Sequence, residues 1–396
     1  MAGIGVMALA YVLSQFFRSF LAVIAPQLSV ELGVGPAELG RAFGAWFLAF
    51  AIMQLPVGLA LDRLGPRRTA AALFGLGAGG GAALFAAAQG GTGLIAGMAL
   101  IGFGCAPVLM ATLYLFARRY EPARFAFLAS TMVAAGTALG NLGAAAPMAM
   151  AVEAFGWRGS MGGLAVASVV VAALILIALR DPPRVEGAAD DAGLAELFSI
   201  ARLPGFWPIL ALMAASYMAP AGLRGLWMGP WLADVHGLGD EAIGVATTWM
   251  AAGMAAGAFL YGPMDRWLNT RKWVNLPGNA ATAALCALFA AIPAASAGLG
   301  TALFAAIGFI GSSYAVIMAH GRALLPARVV GRGVTLMNFT AMGGAGLAQI
   351  ATGELAALYG AADPAQGYAA VFAFYAATLG VACLVYLASR DAPPRG

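Results

Sequence analysis

Two stretches of this 396-residue chain set a guanidinium inside an apolar run: "YVLSQFFR" at 11 to 18 and "YMAPAGLR" at 217 to 224. In the first, Tyr11, Ser14, Gln15 and Arg18 recur at i, i+3, i+4 and i+7, one polar stripe on an otherwise apolar helix. The second answers with Tyr217, Pro220 and Arg224. A guanidinium is a planar, permanently charged fork suited to a two-bond grip on carboxylate or phosphate. Near the middle of a membrane helix an arginine costs about 2.5 to 3.5 kcal/mol, so it pairs, faces water or binds something. Pairing is withheld, because all 17 Asp and Glu map to loops or span ends. Two unpaired cations at matching places therefore point to an anion site made of Arg18, Arg224, Tyr11, Gln15 and Tyr217. Snorkelling is the competing reading. Arg18 stands eight residues before Pro26, roughly 12 Å of helix at 1.5 Å per residue, which brings an interface within its reach.

The elements that carry these residues are membrane spans. With 62% hydrophobic residues, 10% charged residues and a mean hydropathy of +0.87, the chain does not have the composition of a soluble globule, whose charged fraction is about 25%. A spanning helix needs about 20 mostly apolar residues. Punctuation by charge, Pro and Gly predicts twelve: 4–26, 39–61, 69–88, 93–116, 125–150, 159–179, 205–228, 242–262, 274–295, 299–320, 333–357 and 369–388. The first has no basic segment before it and outruns a signal-peptide core, so it reads as an uncleaved span. Cys105, Cys286 and Cys383 all fall within spans, with no paired spacing for a disulfide framework or zinc. Packing is the expectation, and no cofactor is expected.

The basic charge is a topology signal rather than a nucleic-acid surface. Of the 21 Lys and Arg, Arg18 and Arg224 lie inside spans and Arg41 and Arg158 on one side; the other 17 all fall on the opposite side. The positive-inside rule then puts both termini in the cytoplasm and requires an even span count.

The chain also repeats itself. "LDRLGPRR" (61–68) matches "MDRWLNTRK" (264–272), with Asp62 and Asp265 separated by 203 residues. "RDPPR" (180–184) closes span six and "RDAPPR" (390–395) closes span twelve, while the two tyrosine–arginine stretches lie 206 apart. The expected architecture is an all-α integral membrane protein of two pseudo-symmetric six-helix halves, 1–180 and 205–396. They are joined by a polar cytoplasmic linker, 181–204, holding one amphipathic helix. Gly58, Asp62, Arg63, Gly65, Arg67 and Arg68 resemble the G-x-x-x-D-R-x-G-R-R loop signature of the major facilitator superfamily, departing from it at Pro66. The resemblance covers essentially the whole chain. It implies that two halves rock about a central site lined by helices one and seven, and the organic-phosphate branch of the family is similar in presenting one arginine from each. It further implies a gate at Asp62, Arg63, Arg67 and Arg68 with a second copy at Asp265 and Arg266, the acid capping a neighbouring helix and the arginines anchoring at headgroups. That these arginines only set topology is the alternative.

Other motifs carry less. "GLGAGG" (75–80) lies within a span without the strand a dinucleotide fold needs, and Gly136, Gly140, Gly143, Gly253 and Gly257 read as close-packing positions. Span five has Asn141 where the family's antiporter signature has proline. No H-E-x-x-H or G-x-S-x-G occurs and no two carboxylates share a span, so an enzyme is not expected. Gln54, Tyr114, Asn141, Trp249, Asn279, Tyr314, Asn338 and Tyr375 are further lining candidates, each also readable as helix packing. His320 is either a flank residue or a proton-linked gate. Met250 and Met254, one turn apart, admit soft-metal import. The reading that follows is a plasma-membrane (inner-membrane) secondary transporter of a small organic anion. It touches lipid but no nucleic acid, and it works as a monomer by alternating access. An exporter of hydrophobic or cationic compounds, and a scaffold or sensor without flux, are the alternatives.

Overall fold

The computed structural model describes residues 2–181, 200, 203, 205–326 and 329–394. Almost all of the expected linker, with its amphipathic helix, lies outside the described residues, as do Arg184, Arg202, Arg328 and Arg395. The described residues form twelve helical spans in two six-helix halves. Span one is Ala2–Phe16 continued by Leu21–Leu32, span two Pro36–Leu64, span three Pro66–Ala86, span four Gly91–Arg119 and span five Pro122–Gly143. The helical segment Ala146–Ala178 turns at Gly156, whose φ of +68° favours glycine. Residues 146–155 thus complete span five, and span six follows the turn. The second half comprises span seven (Trp207–His236), eight (Asp240–Trp267), nine (Lys272–Ala291), ten (Ala297–Leu324), eleven (Val330–Gly360) and twelve (Pro364–Tyr386). Several starts carry their own caps. Glu38 accepts from the Gly35 N–H at 2.9 Å ahead of Pro36, and Asp363 accepts from Ala365 N–H at 3.0 Å ahead of Pro364.

Both ends of the described chain lie at one end of the bundle. A Cβ at Gly3 would meet Ala178 O at 3.0 Å, Asp181 reaches Arg67, and Asp391 reaches Lys272. At the opposite, far end the halves meet along three lines. Gly44 of span two lies so close to span eleven that a Cβ there would meet Gly346 O at 2.7 Å and Ile350 Cγ1 at 2.6 Å. Gly229 of span seven lies against Ala22 O of span one, and Gly244 of span eight against Ala146 and Ala149. Small residues let backbones approach where lipid supplies no hydrophobic drive to pack. Two polar ties cross the same seam: Arg41 to Glu354 at 2.6 Å, an exposed pair, and Gln27 to Asp240. Toward the termini end, Gly58 of span two and Gly331 and Gly343 of span eleven face open space within 4 Å. The closest backbone approaches between the halves gather toward the far end.

Candidate functional site

Arg18 stands in a break of span one. The N–H groups of Arg18 and Ser19 bond carbonyls three residues back, at Gln15 (3.2 Å) and Phe16 (2.9 Å), and Val23 N–H takes Phe20 O (3.1 Å) in place of Ser19 O. The span bends by 49° there, and the Ser19 carbonyl is released from the ladder. The Arg18 guanidinium carbon lies 4.6 Å from the ring centre of Phe50 and 5.1 Å from that of Trp46, both on span two. Such contacts stabilise a cation by roughly 0.5 to 2 kcal/mol. Tyr217, Tyr11 and Cys105 lie beside it, none of them a carboxylate. Nε is buried with no hydrogen-bond partner among the described residues, while the residue as a whole stays partly exposed.

Hydroxyl and amide groups ring this cation. Gln15 donates to Tyr11 OH at 2.5 Å and to Thr137 Oγ1 at 3.2 Å, joining spans one and five. Tyr217 faces Tyr314 with ring centres 5.7 Å apart, and Tyr314 donates to Asn338 Oδ1 at 2.7 Å, which brings in spans seven, ten and eleven. Tyr11, Gln15, Arg18 and Tyr217 thus share one neighbourhood.

Arg224 is placed differently from Arg18. Pro220 interrupts the ladder of span seven, and Leu223–Trp227 follow as a wide π turn, a device that often marks functional positions. The Arg224 side chain is fully buried and crosses to the other half. Nη1 donates to Ser19 O at 3.2 Å and Nη2 to Asn141 O at 2.6 Å, and Nε has no partner among the described residues. Asn141 O is free for the same reason as Ser19 O: Ala145 N–H bonds Leu142 O (3.2 Å) instead. Ser19 Oγ donates to Asn141 Oδ1 at 2.6 Å, locking the two breaks together. Asn141 O lies in the last turn of Pro122–Gly143 and Ser19 O just past the end of Ala2–Phe16, and at a helix C-terminus the backbone dipole favours a cation.

The remaining candidates are scattered. Asn279 bonds Asn275 O (2.8 Å) and Ser313 (3.0 Å), Tyr375 accepts from Gln349 (3.2 Å), and Gln54 reaches only its own turn at Phe50 O (3.5 Å). Trp249 is exposed in a shallow groove with Val245 and Thr301. Met250 and Met254 pack on Gly308, and His320 is buried between Tyr386 OH (2.5 Å) and Arg390 O (2.8 Å). Trp46, Phe50 and Thr137 belong to the arginine's surroundings without having been singled out. Trp46 and Phe50 sit four residues apart, a spacing that core packing produces equally well.

In the loop signature Asp62 and Arg63, Arg67 and Arg68 are exposed, and Asp62 acts on Tyr114 of span four. The N-terminus of span three is held by another acid: Asp181, after span six, accepts from Arg67 N–H at 2.7 Å. Gly65 has φ +84°, and a Cβ there would meet the Asp181 carboxylate at 2.8 Å, while Pro66 occupies the first helical position, where a missing N–H costs nothing. The second half repeats the device. Asp391, after span twelve, accepts from the N–H groups of Arg271 (3.1 Å) and Lys272 (3.0 Å) and from Thr270 Oγ1. Partial burial pushes the Asp391 carboxyl up, but the donors Thr270, Lys272, Arg271 and Ala392 outweigh it and hold it below the ordinary carboxylate value. Asp265 pairs with Arg271 at 3.1 Å, and Arg266 is exposed.

Residues 7–239 match the family model described as Major Facilitator Superfamily, so the chain belongs to that superfamily. Its fold is shared with a bacterial homologue of the human lysosomal transporter Spinster in an inward-facing, occupied conformation (TM-score 0.77, 19% identity, 97% of this chain and 95% of that one). It is shared as well with a D-xylose–proton symporter (0.77, 14%, 97% and 96%) and the nucleoside transporter NupG (0.78, 13%, 98% and 99%). In sequence the chain is 25% identical over 268 residues to the hexuronate transporter of Bacillus subtilis (strain 168), across 64% of this chain and 62% of that protein. The protein is a multi-pass membrane protein of this superfamily, and it spans less than two thirds of the length of the hexuronate relative.

Proposed function

We propose that the protein is a secondary active transporter that moves a small organic anion by alternating access, with a sugar-acid carboxylate as the first substrate to try. The observation that supports this reading is Arg18: a partly exposed cation beside aromatic rings and tyrosine hydroxyls, with no carboxylate paired to it among the described residues. The hydroxyls of Tyr11, Tyr217, Tyr314 and Thr137 and the Gln15 and Asn338 amides suit a ligand with one charged end and several hydroxyls. The name of the hexuronate relative agrees with that chemistry. In this reading the termini end is cytoplasmic, because the basic loops gather there. The conformation described is then inward-open, and the far end faces outward. The functional units are the halves 1–180 and 205–396 about the linker 181–204, acting as a monomer in the bacterial inner membrane with lipid around it. Asp62, Arg63, Arg67, Arg68, Asp265 and Arg266 form the inner gate once that end closes. Counterflow of labelled glucuronate into proteoliposomes tests the reading. Unlabelled glucuronate inside should drive uptake, glucose should not, and Arg18→Gln should need about ten- to a hundredfold more glucuronate for the same effect. Equal counterflow with Arg18→Gln would remove the anion assignment.

A further inference from the structure

We infer that Arg224 serves two partners in turn: the Ser19 and Asn141 carbonyls while the outer end is closed, and the transported anion once that end opens. The inference rests on the anion reading above. Both present bonds run from span seven to the opposite half, so any motion that parts the halves at this level breaks them together. The backbone around Arg224 leaves no slack. A Cβ at Gly225 would meet Arg18 O at 2.8 Å, and Gly229 lies on Ala22 O, so span seven cannot withdraw without carrying the guanidinium away.

After separation the partners fare unequally. The two carbonyls lie in helix breaks and take water from the opening cleft. Arg224 is flanked by Leu223, Leu226 and Trp227, all buried, and its Nε is unpartnered even now. A cation in that setting lacks a carboxylate and presents a fork that an anion fits.

The consequence is a site with a different charge in its two states. With the outer end open, Arg18 and Arg224 both face the ligand; with it closed and the inner end open, Arg224 has returned to backbone and Arg18 alone remains. An anion is therefore held more tightly on the outer side and released inward. By linkage, an anion must also pull the empty carrier toward the outer-open state. Arg224 thus sets direction through its change of partner.

Spin-label distances between Val30→Cys and Leu358→Cys, two exposed far-end positions on opposite halves, test this in the purified full-length protein with native cysteines replaced. In the empty protein Arg224→Gln should raise the ratio of long to short distances about tenfold, the effect of losing charge-assisted hydrogen bonds. Arg224→Lys should also open the outer end, since one ammonium does not reproduce the fork that spans two carbonyls, and it carries this arm if the Gln variant does not fold. Glucuronate should shift the unsubstituted background toward the long distance, shift Arg224→Lys similarly, and require at least tenfold more ligand in Arg224→Gln. An unchanged empty distribution in both variants overturns the inference, as does a glucuronate response in Arg224→Gln at unsubstituted-background concentrations. If glucuronate fails to move the unsubstituted background, the anion reading falls and the exchange of partners falls with it.

Discussion

Arg18 is surrounded by Trp46, Phe50, Tyr11 and Tyr217, and that set fixes what a substitution there does. Under the anion reading, replacing it with Gln removes a charge-assisted hydrogen bond to the ligand worth roughly 1.5 to 3 kcal/mol, so half-saturating glucuronate in counterflow should rise about ten- to a hundredfold. Arg18→Lys keeps the charge and the contact with the two rings but loses the planar fork, and it should recover only part of that loss. Transport at the original concentrations by both variants would mean that the side chain snorkels. At this scale the sequence was half legible. The polar stripe from Tyr11 to Arg18 and the tyrosine ahead of Arg224 could be read from spacing, because a helix turns i+3, i+4 and i+7 onto one face. The hold on Arg224 could not, because its partners are backbone carbonyls, and every residue has one. What freed them is a pair of local breaks at 17–20 and 144–145 that no Pro or Gly at those positions announces.

Asp181 and Asp391 show what an element-level repeat is for. "RDPPR" and "RDAPPR" mark span ends in the sequence, and in the structure each aspartate caps the N-terminus of the third span of its half. Pro66, a departure from the family signature, becomes a favourable first helical residue. The carboxyl of Asp391 sits below its ordinary value, so its stabilisation is fully present above the unfolded-state value of about 4 and is lost as pH falls through the lower folded-state value. Asp391→Ala should lower stability by about 1 kcal/mol at pH 7, as a lost cap does, and the gap to the unsubstituted protein should narrow only below about pH 4. Thermal unfolding in detergent across pH measures it; a gap that closes near pH 6 would assign the effect to another group. At the seam, Gly44→Val cannot fit against Gly346 O and Ile350. The variant should keep the far end open, so that a short bismaleimide joins cysteines at Arg41 and Glu354 much less efficiently than in the Gly44 background.

For the whole molecule the span count, the two halves and the family were legible from composition, charge and repeat, because lipid demands long apolar helices with few exceptions. Boundaries moved where a span outlasts its apolar run: span one reaches Leu32, past Pro26, and span eleven reaches Gly360. The basic residues gathered at one end give a direct test. A reporter fused after Gly396 should be cytoplasmic and one inserted near Gly237 periplasmic; the reverse result would invert both the sidedness and the inward-open assignment. The far-end seam has a further property. Between Gly40, Gly44, Gly346 and Gly353 the attraction is dispersion between backbones in van der Waals contact, and a gap of 0.5 to 1 Å already forfeits about a quarter to a half of such a well. Resistance to opening is therefore steepest over the first ångström, where this contact and the Arg41–Glu354 tie are stretched together. The seam therefore has the character of a detent: under the alternating-access reading proposed above, it favours a far end that is shut or open over one held ajar.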